Sequence, residues 1–278
     1  AGRGIGRSVA MQLAEEGASV VVNDLGTTVD GGNSSKMPAD QVVSEIRDAG
    51  GIALPSYKSV ADFRSAEEIV KTTIHRFGRL DILCHAAGFL RDRMVFNMTD
   101  AEWDNVLQVH LYGAFNMVRN SVPYMIKQRY GRIILFSSSS GLGVAGQSNY
   151  AAAKEGIVGF SSSLARELAG YAVSVNAVYP GANTRMIEAI PETTRKQVRK
   201  QAYLSSDVTQ GPAEILSSPE PLEALAPGNN APKIVYLCTN DGGKFTGRVV
   251  GTNGWTLSLY SPRRAIKSIH KDGIWTLE

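Results

Sequence analysis

Short runs of β-branched and aliphatic residues alternate along the chain with longer stretches whose apolar positions recur at helical spacing. Residues 18–23 (ASVVVN), 52–57, 81–85, 132–136 (RIILF), 173–179 (VSVNAVY) and 248–252 read as strands. Several are apolar at every position, as expected of strands buried on both faces. Between them, residues 7–16, 39–49, 66–77, 101–120, 150–168 and 231–237 carry the helical period. The fourth helix opens on a capping box, Thr99 with Glu102 three residues on. This alternation predicts an α/β domain, a parallel sheet with helices on both faces.

Two segments break the rhythm. Residues 26–38 (GTTVDGGNSSKMP) form a polar, glycine-rich loop after the first strand. Residues 186–232 combine weak helical stretches, a basic run (RKQVRK) and six prolines. They read as a flexible flap within a single domain spanning residues 1–278. The tail, 261–278, is amphiphilic, contains Trp275 and is expected to pack on a neighbouring subunit.

Composition narrows the function classes. The chain has 278 residues, with 29 Lys and Arg against 26 Asp and Glu, for a formal net charge of +3. A balance this close to neutral, with no basic block, argues against nucleic acid as the main partner. No apolar run approaches the roughly 20 residues that span a bilayer. The two cysteines, Cys84 and Cys238, lie in apolar runs and suggest buried thiols rather than a disulfide framework. With no signal peptide in view, a cytoplasmic protein is expected. The four histidines stand at 75, 85, 110 and 270. None forms a cluster with metal-ligand spacing, so no metal site is expected.

Two constellations carry chemistry. The first is Gly2-x-Gly4-x-Gly6 running into an apolar helix, a turn whose free backbone N–H groups suit a pyrophosphate. Asp24 follows the strand about 20 residues into the unit, where a carboxylate would hydrogen-bond an adenosine ribose. A unit of this kind needs a strand to deliver the chain to the turn, and none precedes Ala1. The expectation is a Rossmann-like, doubly wound parallel sheet whose first strand is missing from the sequence.

The second constellation is Tyr150 and Lys154, at i and i+4 on one helix face. An ammonium beside the phenol, joined by a cationic nicotinamide, would lower its pKa towards working pH and make it a general acid or base. Twelve residues upstream a serine run ends a predicted strand. Ser138, with Ser139 as the register alternative, could hold the substrate oxygen.

Taken in order along the chain, these residues resemble the classical short-chain dehydrogenase/reductases over nearly the whole length. Residues 1–6 match the end of that family's glycine turn, and His85-Ala86-Ala87-Gly88 stands where the family has NNAG. Ser138, Tyr150 and Lys154 match its catalytic Ser and YxxxK, and Pro180-Gly181 with Thr184 matches its PG…T motif. The resemblance is closer still to the hydroxyacyl-CoA dehydrogenase part of the peroxisomal multifunctional enzymes. It is carried by VVVNDLG at 20–26, LRDR at 90–93, VHLYGAF at 109–115 and YGRII at 130–134.

The resemblance implies an oxidoreductase working on a secondary alcohol or ketone, a 3-hydroxyacyl-CoA-like compound. It places Ser138, Tyr150 and Lys154 at the reaction, with His110, where most members carry Asn, as an auxiliary holder of a relay water. Cofactor contacts are implied at Gly2, Arg3, Gly4, Ile5, Asp24, Ser59, Val60, Ala86, Gly88, Tyr150, Lys154, Pro180, Gly181 and Thr184. The replacements in His85-Ala86 are expected to matter little. Lys58 stands where an acidic residue is often found, which could weaken adenine binding.

Asp24 would repel a 2′-phosphate and so favours NAD, whereas Arg3 in the glycine turn points towards NADP. A homodimer or homotetramer built on the helices at 101–120 and 150–168 is also implied. Two alternatives stay open. One is an NADPH-dependent 3-oxoacyl reductase, with Arg129, Arg132 and the RKQVRK run as a docking surface for an acyl carrier. The other is a nucleotide-binding member without catalysis.

Overall fold

The structure, a computed structural model, describes residues 1–28, 32, 35–184 and 223–275. Most of the segment expected to form the substrate flap, and the last residues of the tail, lie outside them. Every predicted strand is present: β1 (Val20–Asn23), β2 (Ala53–Ser56), β3 (Ile82–His85), β4 (Gly131–Phe136), β5 (Val173–Gly181) and β6 (Val249–Asn253). A short β7 (Ser258–Tyr260), not anticipated, pairs antiparallel with β6; all other pairings are parallel. Leu257 and Leu259 are both exposed, so this edge strand lacks the buried pattern that marks the others.

Helices cover both faces. On one side α3 (Phe63–Phe77), α5 (Gly113–Gln128) and α6 (Ser148–Leu168) pack on β3, β4 and β5, around Leu83, Ile133, Leu135, Ile157 and Val175. On the other, α1 (Gly4–Glu15) and α7 (Ala231–Tyr236) cover Ile134, Phe136 and Val178. The remaining helix of the first unit, α2 (Met37–Asp48), closes a smaller core with β1 and β2.

The helix expected at 101–120 is interrupted. α4 (Asp100–Leu107) leads into a π turn (Gln108–Tyr112) before α5 continues the same rod. Such a turn accommodates about one extra residue, and a single skip in the apolar spacing does not stand out from the ordinary irregularity of a helical pattern.

The sheet is split. β1–β2 form one two-stranded piece and β3–β4–β5–β6–β7 another. Between β1 and β3 runs a cavity of about 420 Å³ lined by Val9, Val20, Val21, Ile69, Val70 and Leu83 among others. It lies where the sequence leads one to expect the delivering strand.

Candidate active site

β3, β4 and β5 end, and α1 begins, around a second cavity of about 520 Å³. This is the carboxyl edge of the sheet, where open α/β folds bind their ligands. The volume falls in the ordinary range for small-molecule sites.

At one end of the cavity the residues of the YxxxK pattern come together with the serine run. Tyr150 sits in the first turn of α6 and Lys154 one turn further, both lining the cavity. Ser138 follows β4 at the mouth of a short 3-10 turn, where its Oγ accepts from the Ser140 N–H at 3.1 Å. Ser138, rather than Ser139, is the serine that acts to lower the pKa of the Tyr150 phenol.

Lys154 is 5% exposed. Its Nζ donates to the Phe136 carbonyl at 2.6 Å and lies 5.4 Å from the Tyr150 ring centroid. Burial alone drives its pKa down to about 7. Burial likewise pushes Tyr150 up to about 12, against the Ser138 bond and with help from the Asp92 charge. The sequence leads one to expect activation by Lys154 together with a cationic nicotinamide; in the free protein desolvation dominates and holds the phenol neutral.

His110 enters the site from the π turn. Its Nε2 lies 2.9 Å from the Phe89 carbonyl oxygen and 3.1 Å from the Phe89 nitrogen, while Nδ1 has no partner. The ring meets Tyr150 edge-on at 5.2 Å. Gly88 admits it: a Cβ there would fall 2.1 Å from His110 Cε1. His110 thus borders the phenol and braces the 88–89 backbone. His85 lies deeper, at the end of β3, and is also buried.

The other end of the cavity is built around the start of α1, which begins at Gly4 with φ +53. Arg3 is its N-cap and supplies no side-chain cap. The first-turn N–H groups therefore face the cavity without intrahelical partners, an arrangement that suits a phosphate. Arg3, Gly4 and Ile5 line the cavity, and the Arg3 guanidinium donates to the Thr27 carbonyl at 2.9 Å.

Gly2 does not reach the cavity wall. Its N–H donates to Asp24 Oδ2 at 2.7 Å, so it orients the carboxylate instead of offering a free donor. Gly26 N–H binds Oδ1 at 2.7 Å and the Ala1 amino group approaches Oδ2 at 3.1 Å. Burial pulls the Asp24 pKa upward, but the Ala1 charge and these N–H bonds outweigh it, and the net direction is down. Asp24 is an ionised acceptor on the cavity wall.

Ser59, Val60, Ala86, Gly88, Pro180 and Thr184 complete the wall as expected. Gly181 lies one residue behind it, its carbonyl accepting from Asn230 at 3.0 Å. Leu25, Thr27, Phe89, Val109, Asn183 and Pro227 also line the cavity. Sequence patterns missed them because loops distant in the chain meet only when the sheet forms. One docking candidate is corrected. Arg132 is 6% exposed, its guanidinium donating to the Thr239 carbonyl and stacking 4.2 Å over Tyr130, so it is no surface residue. The RKQVRK run lies outside the described residues, among which no group of three or more His, Cys, Asp or Glu side chains could hold a metal ion.

Residues 1–195 match the family model described as short chain dehydrogenase. The chain belongs to the short-chain dehydrogenases. As a member of that family it is an oxidoreductase acting on CH–OH groups. It is 48% identical over 267 residues to peroxisomal multifunctional enzyme type 2 of Drosophila melanogaster, with 95% of the chain but 39% of that protein covered. To the 3-oxoacyl-(acyl-carrier-protein) reductase FabG of Staphylococcus aureus (strain Mu50) it is 41% identical over 207 residues, covering 74% of the chain and 81% of the relative. Among solved structures, a short chain dehydrogenase from Mycobacterium avium superposes with a TM-score of 0.80 at 35% identity, over 99% of this chain and 88% of that one. Among the described residues, no helix of this short-chain dehydrogenase is long and apolar enough to cross a membrane.

Proposed function

We propose that this short-chain dehydrogenase oxidises a 3-hydroxyacyl-CoA-like secondary alcohol with NAD, using Tyr150 as general base and acid. The observation that carries the reading is the pair of Tyr150 and buried Lys154, with Ser138 just behind the wall, in a cavity shared with an uncapped helix N-terminus and the carboxylate of Asp24. A binding module has no use for a proton-transfer cluster at the far end of its nucleotide cavity.

The cavity wall suits a dinucleotide: α1 offers N–H groups for the pyrophosphate, Asp24 an acceptor for the ribose hydroxyls, and Thr184, Pro180 and Lys154 the walls of the nicotinamide end. When bound, the nicotinamide supplies the hydride acceptor or donor. Ser138 holds the substrate oxygen beside the phenol. Tyr150 Oη takes the hydroxyl proton in oxidation and gives it back in reduction. Lys154, when protonated, places a positive charge near the ring and favours phenolate, offsetting the burial that holds the free phenol neutral.

Asp24 supports NAD over NADP. A carboxylate about 4 Å from a phosphate charge costs about 4 kcal/mol at an effective dielectric of 20. The favourable term from a flexible, exposed Arg3 is smaller. Arg3 does line the cavity, which keeps an NADPH-dependent 3-oxoacyl reductase as the second reading. Exposed Trp103, Tyr112 and Phe115 along the α4–α5 rod suit a homodimer or homotetramer. The free thiols of Cys84 and Cys238 fit a cytoplasmic setting.

Paired NADH and NADPH titrations test the cofactor choice, followed by turnover of 3-hydroxyacyl-CoA esters of graded length. Tighter NADH binding and a Tyr150→Phe loss of about 100-fold or more in kcat are expected. Equal turnover by the Tyr150→Phe variant would remove the proton-transfer role. Preferential NADPH binding would bring the reductase forward.

A further inference from the structure

Tyr150 sits where a helix is least secure. It is the third residue of α6, in the first turn, whose N–H groups have no carbonyl one turn back to receive them. A side chain at the N-cap usually supplies the missing acceptor, but Gln147 holds that place and makes no such bond. The Ala151 N–H donates to the Gln147 carbonyl at 2.7 Å. The Tyr150 N–H is taken up from inside the turn instead, by Asn149 Oδ1 at 2.7 Å.

The other half of the same side chain reaches outward. Asn149 is fully buried, and its Nδ2 donates to the Arg91 carbonyl at 3.1 Å and to the Glu102 carbonyl at 2.9 Å. Those acceptors belong to the loop after β3 and to α4, so one amide joins three segments. These contacts use both amide protons and the oxygen, a combination that no aliphatic or carboxylate side chain of this size offers. The loop is fastened again beside it. Arg93 N–H donates to the Gly146 carbonyl at 2.8 Å, and Gln147 Nε2 to Asp92 Oδ2 at 2.9 Å.

The bonds close a ring around the phenol. From Asn149 the chain of contacts runs through Arg91 back to Phe89, whose backbone holds His110 Nε2, and the His110 ring meets Tyr150 edge-on at 5.2 Å. Tyr150 is located twice, through its amide by Asn149 and through its ring by His110. Both contacts are tied to the same stretch of loop. Proton and hydride transfer tolerate little error in such placement, since a displacement of about 1 Å can cost about 100-fold in rate.

We propose that Asn149 is the positioning residue of Tyr150: it holds the first turn of α6 against α4 and the loop after β3, and so fixes where the phenol meets the substrate oxygen. This rests on the dehydrogenase reading of Tyr150, so two of the tests need no turnover.

In the free wild-type protein, hydrogen exchange at the Tyr150 N–H and at the Asn149 side-chain amide is expected to be about 100-fold or more slower than in an unstructured chain. Exchange at the unstructured rate at either group overturns the proposal. NMR spectra of ring-labelled tyrosines form the second test, the Tyr150 signal being identified by its loss in Tyr150→Phe. In Asn149→Ala that signal is expected to shift as the ring leaves its contact with His110, while the other tyrosine signals stay in place. An unmoved Tyr150 signal overturns the proposal whether or not the enzyme turns over.

Kinetics give the third test. Asn149→Ala is expected to lower kcat about tenfold or more, with KM and the NADH dissociation constant within about twofold. Asn149→Asp keeps an acceptor for the Tyr150 N–H but loses both donors, and is expected to fall at least as far. Wild-type kcat in either variant overturns the proposal. So does a loss in which kcat and NADH affinity fall together with Tm, since that is a general loosening of the fold. If Tyr150→Phe turns over normally, the dehydrogenase reading fails, and the exchange and ring spectra alone decide whether Asn149 places Tyr150.

Discussion

Lys154 is the residue at which folding and chemistry conflict most openly. Its amine is buried, donates to the Phe136 carbonyl, and has its pKa brought down to about 7 by that burial. Because the folded pKa is depressed, the unfolded chain binds more protons than the folded one between about pH 7 and the unfolded lysine value near 10.4. Stability must therefore rise with pH across that window; below it the full cost of burying an ammonium is present. Thermal melts of the cofactor-free protein are expected to show a Lys154-dependent rise from pH 7 to pH 10. Lys154→Met, which buries no charge, is expected to lack this component and to be the more stable protein at pH 7, by on the order of 2 kcal/mol or more. A wild-type profile that parallels the variant's would mean that the amine is solvated. The site therefore sacrifices stability for a lysine whose charge responds at the pH of catalysis.

Among the elements, the α4–π–α5 rod brings His110 to the site. Its start was legible, because the Thr99-x-x-Glu102 pattern states its own hydrogen bonds. Thr99 Oγ1 accepts from Glu102 N–H at 3.2 Å, and Glu102 Oε2 accepts from Thr99 N–H at 2.9 Å. Thr99→Ala removes one half of this box and is expected to cost about 1 kcal/mol, a fall in Tm of about 2–4 °C. An unchanged urea midpoint would show that the first turn frays in the wild type as well. The π turn that follows was not legible, since it depends on what packs on it, as where the Phe89 backbone holds His110. The same contrast runs through the site. Tyr150 and Lys154 could be paired because one helix fixes their spacing. Asn183, Thr27 and Pro227 could not, because they come from separate segments that follow β5, follow β1 and precede α7. Gly2 was misread for a related reason: a glycine turn shows that backbone N–H groups are free to bind, but only the fold shows that this one binds Asp24.

For the whole molecule, the cavity between β1 and β3 separates two sheet pieces that a single further strand could join. Among the described residues no strand pairs with either facing edge. At the carboxyl end of β1 the Ala1 amino group donates to the Asn23 carbonyl at 2.8 Å. Elsewhere the edges leave backbone donors and acceptors beside an apolar lining, a costly combination unless something extended and apolar fills it. A strand there would gain two ladders of hydrogen bonds and about 1.5–3 kcal/mol for each large aliphatic side chain buried, against about 1–2 kcal/mol per residue for ordering. With four or five aliphatic residues in a six-residue strand, a net gain of about 3 kcal/mol is reasonable, a rise in Tm of about 6–12 °C. Joining such a strand and a short turn ahead of Ala1 is expected to produce that shift. It is also expected to slow amide exchange at Val20–Asn23 and Ile82–His85 and to tighten NADH binding, because the turn at Gly4 becomes anchored on both sides. A Gly/Ser extension of equal length is the control. If both extensions melt together with the unextended chain, the cavity does not accept a strand and the two sheet pieces are stable as they stand.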